Sequence, residues 1–194
     1  QPGLPGHDAV LRDQQPGRHA VLQRRGDDVR DESMFGNTAA VAQAVAEGLA
    51  GAFEVTLADV HDQPSPAGFD LLVVGAPTHA FGLSRPATRI DAAKQGEVRA
   101  GAQETGIREY LDAAPPLAGM PVAVFDTRMK TKFPTGSAAR KALRRLHSLG
   151  GQPMLPAENF LVGGMTGPLV DGETERAQSW ARAVAAVADR RSVA

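Results

Sequence analysis

A chain of 194 residues with 42% hydrophobic content is long enough to bury one sizeable core. Its formal charge of −1 gives no electrostatic case for nucleic acid or an anionic membrane, and the lack of cysteine removes disulfides, thiolate zinc sites and cysteine catalysis. No apolar run approaches the ~20 residues that span a bilayer, and the opening Gln1-Pro2-Gly3-Leu4-Pro5-Gly6 lacks a signal peptide's basic head and apolar stretch, so a soluble cytoplasmic protein is expected.

Residues 1–30 are rich in Gln, Arg, Asp, Pro and Gly, with one short apolar piece at Ala20-Val21-Leu22. Such a segment buries too little surface to offset its ordering entropy, and it reads as a disordered or loosely attached extension. A partner-binding arm built on Arg12, Arg18, Arg24 and Arg25 is the alternative.

Next comes Glu32-Ser33-Met34-Phe35-Gly36-Asn37-Thr38, running straight into a stretch where Val41, Val45 and Leu49 recur every four residues among strong helix formers. That spacing predicts a helix, which the chain leaves at Gly51. Ser33, Gly36, Asn37 and Thr38 then crowd a helix N-terminus, where free N–H groups and the positive end of the dipole favour an anion. An ordinary N-cap explains any one of them. Hydroxyl, aromatic, Gly, Asn and hydroxyl within six positions point instead to a loop that holds an anion without Lys or Arg. The G-x-x-x-x-G-K-[ST] and G-x-G-x-x-G patterns are both absent.

Further on, Phe53, Val55 and Leu57 alternate with Glu54, Thr56 and Ala58, as in a strand at a sheet edge with one wet face. The continuous apolar run from Phe69 to Ala76 reads as a buried parallel strand, ending at Pro77-Thr78-His79-Ala80-Phe81-Gly82. Ligands of open α/β sheets bind beyond such carboxyl ends. From Ser84 to Ala113 the chain reads as an interrupted helical segment, punctuated by Gly96, Gly101 and Gly106 and long enough to form a flap. Within it Ile107, Tyr110 and Leu111 make an apolar face, so Tyr110 is expected to pack.

Met120 to Phe125 gives the next buried strand, followed by a basic loop that begins Asp126-Thr127-Arg128 and holds Phe133 as its aromatic residue. Ser137 opens a helix with Leu143, Leu146 and Leu149 inward. Its outward Arg140, Lys141, Arg144 and Arg145 form a solvated face or, alternatively, a docking patch for an acidic partner. Met154-Leu155-Pro156 and Phe160-Leu161-Val162 supply a last strand in two pieces, and residues 163–168 read as a glycine-rich turn. A final helix from near Gly172 buries Trp180, Val184 and Val187, leaving 190–194 as a tail.

The stretch Ser33-Met34-Phe35-Gly36-Asn37-Thr38 resembles the phosphate-binding loop of the flavodoxin family, usually Thr/Ser-x-x-Gly-x-Thr, and the resemblance runs from about residue 32 to 188. It implies a flavodoxin-like α/β domain over residues 31–189, a doubly wound parallel sheet of five strands in the order 2-1-3-4-5, with FMN as cofactor. By that resemblance Ser33, Gly36, Asn37 and Thr38 hold the phosphate, with Met34 and Phe35 also binding the cofactor. Pro77, Thr78, His79, Phe81 and Gly82 line the isoalloxazine, joined by Asp126, Thr127 and Arg128. His79 or Phe81 would offer a flat face, the alternatives being an exposed loop histidine and an anchoring phenylalanine. The family usually has acidic surroundings and a stacking tyrosine in the third loop, whereas this loop is basic. If it contacts flavin, its cations favour the reduced anionic form and raise the reduction potential; otherwise it is a solvated loop.

One element breaks the pattern. The first strand of such a sheet is buried and should be apolar, yet its position holds Gly26-Asp27-Asp28-Val29-Arg30-Asp31. Either the strand forms poorly, or Ala20-Val21-Leu22 substitutes for it, or the reading frame upstream of Glu32 is not the ancestral one. The abrupt start of the resemblance at Glu32 favours the third.

Three functions fit. An FMN-binding electron carrier with a redox partner protein ranks first, since no hydrolytic triad or H-E-x-x-H motif is recognisable. An FMN-dependent oxidoreductase of quinone or protoporphyrinogen type follows, with His79, Arg128 or Tyr110 toward the substrate. A flavin-free interaction domain is third.

Overall fold

The sheet is built on its least apolar strand. In the computed structural model, which describes residues 27–62, 65–79, 82–130 and 136–192, β1 (Asp27–Asp31) lies between β2 (Val55–Asp59) and β3 (Leu71–Pro77). Every β1 residue is in parallel register with both neighbours, Val29 opposite Leu57 and Val73. The doubtful strand is therefore formed, and residues 27–30 belong to the sheet rather than to the extension. Residues 1–26, with Ala20-Val21-Leu22 and the four arginines, lie outside the described residues.

Two ladders of backbone hydrogen bonds and the buried Val29 hold β1 in place. Arg30 and Asp31 find local company. The Arg30 guanidinium carbon lies 5.8 Å from the centre of the Phe69 ring, within the range of a cation–π contact. Asp31, 4% exposed, faces the Arg99 guanidinium at 3.8 Å, which also lies 3.7 Å from Asp59.

From β3 the sheet continues to β4 (Pro121–Met129) and then to a last strand in two pieces, β5 (Gln152–Pro153) and β6 (Glu158–Val162). Both pieces run parallel to β4, one along its start and the other along its end. The order is thus 2-1-3-4-5 with the fifth strand interrupted around Pro156, whose missing N–H cannot join a ladder.

Helices α1 (Asn37–Leu49) and α5 (Glu173–Ser192) cover one face of this sheet. There Val41, Val45, Leu49, Trp180 and Val184 pack on Val29, Val73 and Phe125. Helices α3 (Ile107–Ala113) and α4 (Ala138–Ser148) cover the other, with Ile107, Tyr110, Leu111 and Leu146 on Leu72, Val74, Val122 and Val124. Phe125, Phe160 and Trp180 meet edge to face, their centres 5.8 to 6.2 Å apart. Gly75 makes room for this cluster: a Cβ built there would sit 2.2 Å from the Phe125 ring.

The alternation in β2 does not carry through. Leu57 is 40% exposed, because β2 is the edge strand and α1 covers Val29 in the neighbouring strand more fully than it covers Leu57. Helix α5 runs on to Ser192, past the expected end at 189. No helix among the described residues is long and apolar enough to cross a membrane.

Candidate functional site

The chain leaves β1 toward β2 on one side and leaves β3 toward β4 on the other, so the sheet reverses direction between β1 and β3. Crevices at such points are where open α/β sheets bind ligands. Here a cleft of about 460 Å³ opens above the strand ends.

Its floor is the loop before α1. Gly36 has φ +89, a left-handed conformation that turns the chain into the helix and that a Cβ would strain. Ser33 Oγ accepts the Ala39 N–H at 3.2 Å, reaching over the first turn. Thr38 and Thr127 share a buried hydroxyl–hydroxyl bond of 2.7 Å, which fastens this loop to the end of β4. Asn37 Nδ2 donates to the Thr166 carbonyl at 3.0 Å, and the Arg99 N–H donates to the Met34 carbonyl at 2.9 Å. Segments from both sides thus brace the loop.

Ten of the residues expected from sequence line the cleft: Ser33, Met34, Phe35, Asn37, Thr38, Pro77, Thr78, His79, Thr127 and Arg128. Gly36 shapes the loop from beneath. Gly82 is buried against the Lys141 side chain and is tied to His79 by reciprocal backbone bonds of 2.8 and 2.7 Å, so it supports the cleft without lining it. Phe81 and Phe133 lie outside the described residues.

Asp126 corrects the sequence reading. It does not line the cleft, and its Oδ2 accepts the Ser137 hydroxyl at 2.6 Å and the Ala139 N–H at 3.0 Å. The first turn of α4 offers a buried carboxylate N–H donors and a favourable dipole, and it takes this side chain. Thr78 Oγ1 is likewise engaged there, accepting the Ala138 N–H at 3.0 Å.

The other wall comes from the segment read as long enough to form a flap, through residues that the sequence did not single out. Helix α2 (Pro86–Ala93) and the turn after it bring Thr88, Asp91, Ala92 and Gln95 to the cleft, and Met129, Val162 and Met165 complete it. The first four fall at i, i+3, i+4 and i+7, one face of a helix. That spacing is visible in the sequence, but its mixed polarity gives no core signal.

Burial holds His79 below the ordinary histidine range, opposed by its hydrogen bond to the Thr88 backbone. Its imidazole is neutral at pH 7. Arg128 is the cation of the lining, and among the described residues its guanidinium reaches the Gly136 carbonyl, at 3.5 Å.

Behind the cleft a buried polar cluster fixes α2 and α3 to the loop. Glu32 Oε2 accepts the Ile107 N–H at 2.8 Å, and burial raises its pKa above the usual carboxylate range. Arg89, 0% exposed, donates to Ser84 Oγ, Glu109 Oε2 and the carbonyls of Gln103 and Glu104 at 2.9 to 3.2 Å. Each guanidinium nitrogen is satisfied, which is what permits a cation to sit in that position.

No protein-family model matches the chain, and no curated protein sequence matches it. Solved structures do. A flavodoxin from the domain Archaea superposes with a TM-score of 0.59 at 17% identity, over 84% of this chain and 98% of its own. Flavodoxin 2 from Bacillus cereus gives 0.58 at 21%, over 83% and 98%. A flavodoxin, WrbA-like protein from Agrobacterium tumefaciens gives 0.55 at 19%, over 84% and 97%. Such identities speak to fold, and the strand order agrees with them: the chain carries a flavodoxin-like domain.

Proposed function

We propose that the chain is an FMN-binding electron-transfer protein. The observation that carries this reading is the Ser33–Thr38 loop, which sets hydroxyls and an amide around the start of α1 and opens into the cleft. The donor set suits a phosphate without a cation, because helix N–H groups and the dipole supply the positive character. The cleft also has the size of a small-molecule site, within the usual ~300–1,000 Å³, and apolar walls at Phe35, Pro77, Val162 and Met165.

On this reading Ser33, Asn37 and Thr38 hold the phosphate, while residues 77–79 and 127–129 border the ring system. FMN supplies electron transfer when bound, and the protein positions it and sets its potential. The neutral His79 adds no charge beside the ring, whereas Arg128 adds a positive one and favours the reduced state. A redox partner protein is the other participant that this reading requires.

One observation favours a second reading, an FMN-dependent oxidoreductase acting on a small quinone-like substrate. Thr88, Asp91 and Gln95 put polar groups on a wall that an electron carrier has no need to furnish.

The test is the visible spectrum of the purified protein followed by titration with FMN. Flavin bands at roughly 370 and 450 nm are expected. A colourless protein that ignores added FMN would refute both readings and leave a flavin-free interaction domain. Turnover of a quinone with a nicotinamide donor would select the oxidoreductase.

A further inference from the structure

The geometry points to the rim of the cleft beside α4 as a docking surface for an acidic protein, an inference that rests on reading the cleft as a redox site. Over its whole length α4 carries Arg140, Lys141, Arg144 and Arg145 and no acidic residue. Arg145 pairs with Asp112 at 3.5 Å, on the side of α3. The other three have no carboxylate within ion-pair distance among the described residues. The same holds for Arg85, Arg128 and Lys130.

Four of these cations are placed at the cleft by what they touch or adjoin, and Arg140 and Arg144 share helix α4 with one of them, Lys141. The Lys141 side chain lies against Gly82 in the loop after β3, and Arg85 immediately precedes α2, whose Thr88 lines the cleft. Arg128 is itself in the lining, and Lys130 follows the last residue of β4. The first turn of α4 is bonded to the cleft wall through Ala138 and Thr78. At the mouth stand Met129 and Met165, 44% and 56% exposed.

An exposed, adaptable apolar centre with a mainly basic rim, where the Asp91 carboxylate is already paired with Lys94 at 2.8 Å, is the arrangement that a protein partner of opposite charge complements. The chain as a whole is at −1, so this is a local concentration rather than general basicity. A nucleic acid fits less well. The exposed centre holds methionines rather than aromatic platforms for bases, and a duplex backbone would leave them uncovered.

The test passes the full chain, with and without FMN, over immobilised poly-L-glutamate in a salt gradient. The wild type is expected to be retained, with affinity lowered about tenfold in R140E/R144E, as expected for charges that act within a Debye length. R182E/R190E makes the same change in net charge at exposed positions of α5, on the opposite face of the sheet, and should bind as the wild type does. Equal losses in both variants, or no retention at all, would overturn the surface. Tighter binding of a short DNA duplex through the same arginines would overturn the acidic-protein assignment. A chain that takes up FMN but ignores poly-glutamate sinks this inference alone. One that binds poly-glutamate through α4 but never FMN sinks the redox reading and keeps the surface.

Discussion

Replacing Asp31 by Asn should make the protein more stable above neutral pH. Burial pushes the Asp31 carboxyl up from 3.8 to about 7, with the neighbouring Asp59 adding to the shift and Arg99 opposing it. The opposition is weak for a geometric reason: Arg99 is 44% exposed and stands 3.8 Å from Asp31 while sharing its charge with Asp59. A folded-state pKa above the unfolded value means that the native state binds the proton more tightly. Stability from this group is therefore fullest below the unfolded pKa and declines as pH rises toward the folded one. A shift of about three units at ~1.36 kcal/mol each gives a cost of ~4 kcal/mol above pH 7. The Asn amide also needs partners, at a cost of ~1–3 kcal/mol, which leaves a net gain of roughly 1–3 kcal/mol for D31N at pH 8. At 2–4 °C per kcal/mol the Tm should rise by roughly 2–12 °C. Urea unfolding of both proteins at pH 4, 6 and 8 measures it, the difference between them isolating this one group. A wild type as stable as D31N at pH 8, or a difference that does not grow from pH 4 to 8, would refute the reasoning.

Other substitutions test other joints. Gly36→Val forces a β-branched residue into φ +89 at ~1–2 kcal/mol, and FMN titration should show affinity at least about tenfold weaker; unchanged affinity would disconnect the loop from the ligand. Gly75→Ala drives a Cβ into the Phe125 ring and should cost ~1–3 kcal/mol in urea unfolding, whereas a neutral result would mean that the aromatic cluster shifts freely. Arg89→Met removes a fully buried cation and takes its N–H donors from Ser84, two carbonyls and Glu109, which keeps the Gly106 N–H. The expected loss is ~3–5 kcal/mol by thermal unfolding, and a near-native Tm would show that the cluster does not anchor α2.

What could be read from the sequence was what local periodicity encodes. The stripe Val41, Val45, Leu49 and the run from Leu71 to Ala76 are buried as their spacing requires. The loop residues Ser33 to Thr38 announce a helix start by their chemistry alone. The failures have physical causes of another kind. Leu57 alternates correctly but belongs to an edge, where the covering helix is too far to bury it. Asp126 reads from sequence as the first residue of a loop, yet β4 runs on to Met129 and two donors at the start of α4 take one oxygen of its carboxylate. Thr88 and Asp91 on α2, and Gln95 in the turn after it, stand at the cleft on a helix whose Arg89 is locked into a buried network with partners 5 to 20 residues away. No window of sequence displays that.

The polar β1 and the proposed ligand act on the same equilibrium. Strand β1 delivers the chain into the Ser33–Thr38 loop, so any opening of β1 dismantles the floor of the cleft. A ligand that binds only the closed form stabilises it by RT ln(1 + [L]/Kd), ~2.7 kcal/mol at a hundredfold excess over Kd. That is comparable with the ~4 kcal/mol carried by the charge of Asp31. The two terms have opposite signs and one of them is set by pH. FMN should therefore raise the Tm of the wild type and of D31N alike. If the unliganded wild type opens measurably at pH 8, its apparent affinity there must fall below its affinity at pH 6, and D31N must abolish that fall. Affinities that track pH identically in both proteins would mean that β1 stays closed without ligand, its two ladders outweighing the buried charge.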